Sequence, residues 1–155
     1  SVLSAARPKI ADYPFTTLHP NLGVVDCGAH RSFVMADIPG LIEGASEGKG
    51  LGTKFLKHIA KTRAIAHVLA LDSEDIENDY ATIRGELAKY DQALADKDEI
   101  IVFTKSDMVD EKTQKEKLKA MAKRTRGKTS FVVTVYDDAS IKALSDGLVK
   151  YLRGE

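Results

Sequence analysis

The chain reads as an α/β layered fold on a mainly parallel sheet, with one antiparallel hairpin strand. Three observations predict it. Short apolar, β-branched runs alternate with segments of helical period. The later runs are apolar on both faces, as strands buried inside a parallel sheet are. The 155 residues, 43% hydrophobic and 30% charged, suit one domain with a core that needs no covalent staple.

Leu22 to Cys27 and Ser32 to Ala36 read as two strands, and the few residues between them make the pair an antiparallel hairpin. Phe55, Leu56 and Ile59 mark a helix entered from a glycine-rich stretch. Ala66 to Leu71, Ile100 to Phe103 and Ser130 to Thr134 are the apolar runs expected to pair in parallel. Between the first two, Ile76, Tyr80, Ile83, Leu87, Tyr90 and Leu94 recur at steps of three and four and predict one amphipathic helix. A weaker stripe of Leu118, Met121 and Ala122 predicts a helix from about Asp110. Ile141, Leu144, Leu148 and Leu152 predict the last helix, with Ser140 or Asp138 as its N-cap.

Composition narrows the function classes. The 23 basic and 23 acidic residues cancel, against a globally basic nucleic-acid binder. The single cysteine, Cys27, allows no internal disulfide and fits a reducing compartment. No apolar run approaches the ~20 residues of a membrane helix.

In such folds ligands sit beyond the carboxyl ends of the strands, and that is where the distinctive residues fall. The second hairpin strand runs into Asp37-Ile38-Pro39-Gly40, a DxxG arrangement. Its aspartate suits Mg²⁺, and its glycine lets a backbone N–H approach a γ-phosphate. Alone, Asp-x-Pro-Gly is also a good turn. The strand at Ile100 to Phe103 runs into Thr104-Lys105-Ser106-Asp107, which matches [NT]KxD. A carboxylate there accepts hydrogen bonds from N1–H and N2–H₂ of guanine, a donor pair that adenine lacks. The lysine stem packs over the base. By itself Ser106 or Asp107 could equally be a helix cap. Both motifs follow apolar strands in the right order, and their coincidence favours the nucleotide reading. Ahead of both, Tyr13-Pro14-Phe15-Thr16-Thr17-Leu18 offers threonines for a metal and a phosphate, or is merely a loop. Gly40 to Gly52 holds five of the eleven glycines, a density that no stable helix or strand tolerates and that suits a loop able to switch.

Two long runs, Ala6 to Val25 and Arg31 to Gly52, with Phe55-Leu-Lys-His-Ile59 and Thr62-Arg63, resemble the Obg family of GTP-binding proteins. The resemblance covers essentially the whole chain and implies a Ras-like P-loop GTPase domain over residues 1–155. It implies that Phe15, Thr16, Thr17, Leu18 and His19 line the nucleotide, with Thr17 and Asp37 on Mg²⁺. Asp37, Ile38, Pro39 and Gly40 would meet metal and γ-phosphate, and Thr104, Lys105, Ser106 and Asp107 would hold guanine. Thr134-Val135-Tyr136 falls where the family has a Ser-Ala-type base loop. The implied protein is a cytoplasmic GTP/GDP switch that hydrolyses GTP and acts in assembly of the large ribosomal subunit, with the subunit or its rRNA as partner.

Departures shape the expectations. Leu41 follows the DxxG, where Ras-like GTPases carry a water-orienting glutamine, so hydrolysis is expected to be slow or to use another group, and the catalytic residue is unassigned. No G-x-x-x-x-G-K-[ST] occurs in the 155 residues; the family places that loop a few residues before Ser1. The domain is therefore expected to lack its first strand and phosphate loop, leaving a gap between the second hairpin strand and the strand at Ala66 to Leu71. The alternative is a catalytically inactive remnant or interaction module, and Asp107 argues against an ATPase. His19, His30, His58 and His67 have no metal-like spacing, and His67, inside a strand, reads as a satisfied core histidine. Asp110 to Lys128 carries eight basic residues against three acidic, read as a solvated helix face with an RNA-facing patch as the minor reading.

Overall fold

The computed structural model describes residues 21–26, 32–37, 61–90 and 92–154. Strands β1 (Asn21–Asp26) and β2 (Ser32–Asp37) form an antiparallel pair with Val25 opposite Phe33. Strands β3 (Ile65–Ala70), β4 (Glu99–Thr104) and β5 (Ser130–Val132) form a parallel sheet in the order β3-β4-β5. Helix α1 (Ile76–Tyr90) and the short α2 (Gln92–Ala95) connect β3 to β4. Helix α3 (Glu111–Arg124) connects β4 to β5, and α4 (Asp138–Arg153) ends the described chain. Among the described residues no strand joins β2 to β3, so the strands stand as two sheets. The expected helix at Phe55 to Ile59, the loops around Thr17 and Gly40 to Gly52, and Cys27 lie outside the described residues.

The period-2 alternation of β4 divides the core in two. Ile101 and Phe103 face Leu69 and Leu71 of the β3 end, Ile76 and Tyr80 of α1, and Met121 of α3. Ile100 and Val102 face the other way, onto Val133, Leu144 and Leu148, with Phe33 and Met35 of β2 packed against that group. β4 is thus buried on both faces, as its unbroken apolar run predicts. β3 is not: Val68 is 61% exposed, because α4 lies over β4 and β5 and no β3 residue joins the second cluster.

Two other expectations are corrected. The stripe from Ile76 to Leu94 is carried by α1 and α2 instead of one helix. Leu94 is still buried, so the apolar period survives the break. The N-cap of α4 is Asp137, not Ser140 or Asp138: its carboxylate accepts from the N–H groups of Ala139 and Ser140 at 3.1 and 3.2 Å. α3 begins next to Asp110, as expected, and Asp110 caps it, accepting from Thr113 N–H at 2.7 Å.

At the amino end of β4 a carboxylate is buried. Glu99 Oε1 accepts from His67 Nδ1 at 2.9 Å, and Oε2 accepts from Tyr80 Oη at 3.1 Å and from Lys128 Nζ. Arg84 Nη1 lies 3.6 Å from Oε2. The His67 ring stacks on Tyr80 at 5.0 Å, and Lys128 Nζ lies 5.6 Å from the centre of that ring. The reading of His67 as a core histidine holds in part: Nδ1 is satisfied, and Nε2 is buried without a partner. Burial alone would raise the Glu99 pKa; hydrogen bonds from His67 and Lys128 and the charge of Arg84 outweigh it and hold the group at about 2.

A depressed carboxylate stabilises the fold fully above its ordinary value of 4.5, and the contribution is lost as pH falls toward about 2. Denaturant unfolding across that window should show stability declining with acid. Glu99→Gln should flatten the decline and cost roughly 3 kcal/mol at pH 7, since it strips a buried charge from its partners. A variant as stable as the parent would refute this role.

The two mid-helix glycines should behave oppositely. A Cβ on Gly85 meets nothing within 4 Å, so Gly85→Ala should stabilise by about 0.5–1 kcal/mol. A Cβ on Gly147 would lie 2.3 Å from Cζ of Phe131, so Gly147→Ala should destabilise by about 1–3 kcal/mol. Thermal unfolding of both variants measures the signs.

Candidate functional site at the carboxyl ends of the strands

The register of the parallel sheet brings three strand ends together. Ala70 lies beside Thr104 and Phe103 beside Val132. The ladder runs past the strand ends: Leu71 N–H donates to Thr104 O at 2.9 Å and Val133 N–H to Phe103 O at 2.8 Å. Ser106 N–H then donates to Val133 O at 3.3 Å, drawing the segment after β4 toward the segment after β5.

The [NT]KxD residues occupy this edge. Thr104 ends β4. Lys105 adopts a left-handed backbone, φ 57° and ψ 40°, which is uncommon for a residue with a Cβ and costs of order 1 kcal/mol. It turns the chain sharply into a single 3₁₀ turn, Ser106–Met108, which carries Asp107. Lys105 Nζ reaches Asp72, just beyond β3, at 2.8 Å. Asp72 has its own support: Lys117 of α3 sends Nζ inward to the carbonyls of Leu71 and Ser73, at 2.6 Å each.

Asp107 meets the second predicted segment directly. Its Oδ1 accepts from Thr134 Oγ1 at 2.5 Å. Thr134 is held in turn by α4: the Ser140 hydroxyl lies 3.2 Å from Thr134 O and 2.8 Å from Asp137 O, and Thr134 N–H donates to Ser140 Oγ at 3.3 Å. Val135 and Tyr136 stand out into solvent, 60% and 84% exposed. An exposed carboxylate, hydrogen-bonded to Thr134, thus shares one end of the parallel sheet with the exposed Tyr136. A carboxylate has about four acceptor positions, so Asp107 keeps capacity beyond the one Thr134 takes.

The structure therefore brings together Thr104 to Asp107 and Thr134 to Tyr136. Asp37 ends β2, opposite Asn21. Phe15 to His19 and Ile38 to Gly40 lie outside the described residues, so the metal pair Thr17 and Asp37 is described only by the place of Asp37 in its strand. Sequence reasoning missed Asp72, Lys117 and Ser140. The signal for Asp72 was available, a carboxylate one residue past an apolar strand. Lys117 and Ser140 carry no such mark, since each acts through backbone groups distant in sequence.

Residues 1–105 match the family described as 50S ribosome-binding GTPase. GTPase Obg of Chlorobium chlorochromatii is 48% identical over 157 aligned residues, covering all of this chain and 44% of that protein. GTPase Obg of Prosthecochloris aestuarii is 61% identical over 111 residues, 72% of this chain and 34% of that protein. The chain spans less than half the length of these curated relatives. Among solved structures, Aquifex aeolicus Era bound to GDP.AlF4- aligns with a TM-score of 0.62 over 86% of this chain and 44% of that one; at 16% identity the likeness concerns the fold. The fold is Ras-like, and with identity this high across the whole chain the relationship is one of common family: the chain belongs to the Obg GTP-binding proteins.

Proposed function

We propose that this domain binds GTP and GDP with Mg²⁺, hydrolyses GTP, and serves as a cytoplasmic switch in assembly of the large ribosomal subunit. The observation that carries the guanine assignment is Asp107, exposed and fixed by Thr134 where the ends of β4 and β5 converge. Its carboxylate accepts from N1–H and N2–H₂ of the base. The stem of Lys105, steered by the left-handed turn and the ion pair with Asp72, runs under the base plane. Thr134, Val135 and Tyr136 border the base from the β5 side.

Toward the phosphates, Thr17 and Asp37 would hold Mg²⁺. One carboxylate at a strand end is an oxygen donor of the hard kind this ion takes, and Thr17 adds a hydroxyl. The ion, when bound, neutralises charge on the phosphate oxygens. The Gly40 backbone N–H would meet the γ-phosphate, and Phe15 to His19 would line the nucleotide. The Leu41 side chain has no polar atom to orient water, so hydrolysis is slow or uses another group. The family description supports the ribosomal partner.

The guanine assignment is tested in a form of the protein that carries the phosphate loop. Asp107→Asn should weaken GTP and GDP by about 1.5–3 kcal/mol and leave the weak affinity for ATP unchanged. Thr134→Val, which removes only the hydroxyl that steadies Asp107, should cost less, about 0.5–1.5 kcal/mol. Calorimetric titration measures both, and undiminished GTP affinity in the Asp107 variant would overturn the assignment.

A further inference from the structure

Helix α3 carries more positive charge than its own packing uses. Met121 is fully buried against the sheet and Leu118 packs beside it, which sets the inward face. Three of the eight basic residues between Asp110 and Lys128 are committed to the fold: Lys117 to the carbonyls of Leu71 and Ser73, Arg124 to Glu77, and Lys128 to Glu99. Lys115 pairs with Glu111, both largely in solvent. The remaining four, Lys112, Lys119, Lys123 and Arg126, are exposed, and no hydrogen bond or ion pair engages their side chains among the described residues.

Three of these form a line. At 3.6 residues per turn Lys112, Lys119 and Lys123 fall within about 40° of one another, opposite Met121. At 1.5 Å per residue they span about 16 Å of helix, and Arg126 follows just beyond the helix end. Helix stability accounts for the line only in part: Lys123 lies in the last turn, where the helix dipole favours a cation, and Glu116 stands about one turn from both Lys112 and Lys119, so the face keeps a net excess of two positive charges. Lys112 lies in the first turn, where the helix dipole disfavours a cation. Lys119 and Lys123 are an i,i+4 pair of like charge, as are Lys115 and Lys119, and such pairs repel. The chain as a whole is neutral, so the excess is local.

We propose that this face of α3 docks on the phosphate backbone of double-helical RNA. Its chemistry separates RNA from a protein partner. Protein interfaces depend on aromatic, aliphatic or arginine anchors seated in pockets, and this face presents flexible ammonium groups with Glu116 and Ala122 and no aromatic side chain. The absence of an aromatic also argues against single-stranded nucleic acid, which is gripped by stacking. A row of point charges suits phosphates, where each contact releases counterions. The choice of RNA over DNA rests on the ribosomal reading above; the charge argument does not. The site is separate from Asp107, so nucleotide binding and RNA binding can be lost independently.

The experiment compares a 20-base-pair RNA duplex and its DNA equivalent as ligands at 50 and 200 mM salt. The proteins are the parent, the triple variant Lys112→Gln, Lys119→Gln, Lys123→Gln, and a charge-matched control on α4, Lys142→Gln with Lys150→Gln and Arg153→Gln. The parent should bind RNA more tightly than DNA, with affinity falling steeply as salt rises. The triple variant should lose at least tenfold at 50 mM and show a salt slope shallower by about 2–3, one step per phosphate contact removed. Its helical circular dichroism should be unchanged, and the control should lose less than twofold. No binding by the parent, an unchanged triple variant, an equal loss in the control, or displacement by poly-glutamate better than by RNA would overturn the proposal. If large-subunit binding persists while duplex binding fails, the ribosomal reading stands and this face is not its contact.

Discussion

The buried carboxylate of Glu99 is the constraint on which the described fold turns. Its side chain is wholly removed from solvent, and an ionised carboxylate survives there only if several donors converge on it. Three donors come from three parts of the chain, His67 of β3, Tyr80 of α1 and Lys128 of the loop before β5, and the charge of Arg84 on α1 stands 3.6 Å away. Breaking any one leaves the others facing a buried charge. The group therefore ties β3 to β4, α1 to the sheet, and the approach of β5 to both, in a way that apolar packing alone, which is non-directional, would not.

The consequence appears at the other end of the sheet. With β3, β4 and β5 in fixed parallel register, their carboxyl ends emerge side by side, and Asp72, Lys105, Asp107 and Thr134 meet there. The polar anchor and the candidate site occupy opposite ends of the same strands. The anchor is buried and ringed by several donors at once, which suits permanence. The site is exposed and held by single hydrogen bonds and one ion pair, which suits a ligand that comes and goes. Helix α3 serves the site end: Lys117 points in and steadies the turn around Asp72, and the lysines on the other side of the helix are exposed.

Much of this was legible from the sequence. Each strand was placed to within about two residues, because buried parallel strands are short apolar runs and such runs are few. The order of DxxG, [NT]KxD and the base loop follows from where strands end. Less legible was the break between α1 and α2, since the apolar stripe continues across it to Leu94. The α4 cap was displaced by one residue because Asp137, Asp138 and Ser140 are all competent caps in isolation. The choice fell to Asp137 once Ser140 was engaged with Thr134.

By itself the sequence determined the fold class, the strand ends and the identity of the residues at them, because those depend on periodicity and on nearest neighbours along the chain. Only the tertiary structure decided which side chains meet. His67 reaches Glu99 across 32 positions, Lys105 reaches Asp72 across 33, and Asp107 reaches Thr134 across 27. A histidine within one apolar run and a glutamate at the start of another give no local sign that one will donate to the other. That pairing is set by the register of two parallel strands joined through a helix, and register is a property of the folded sheet.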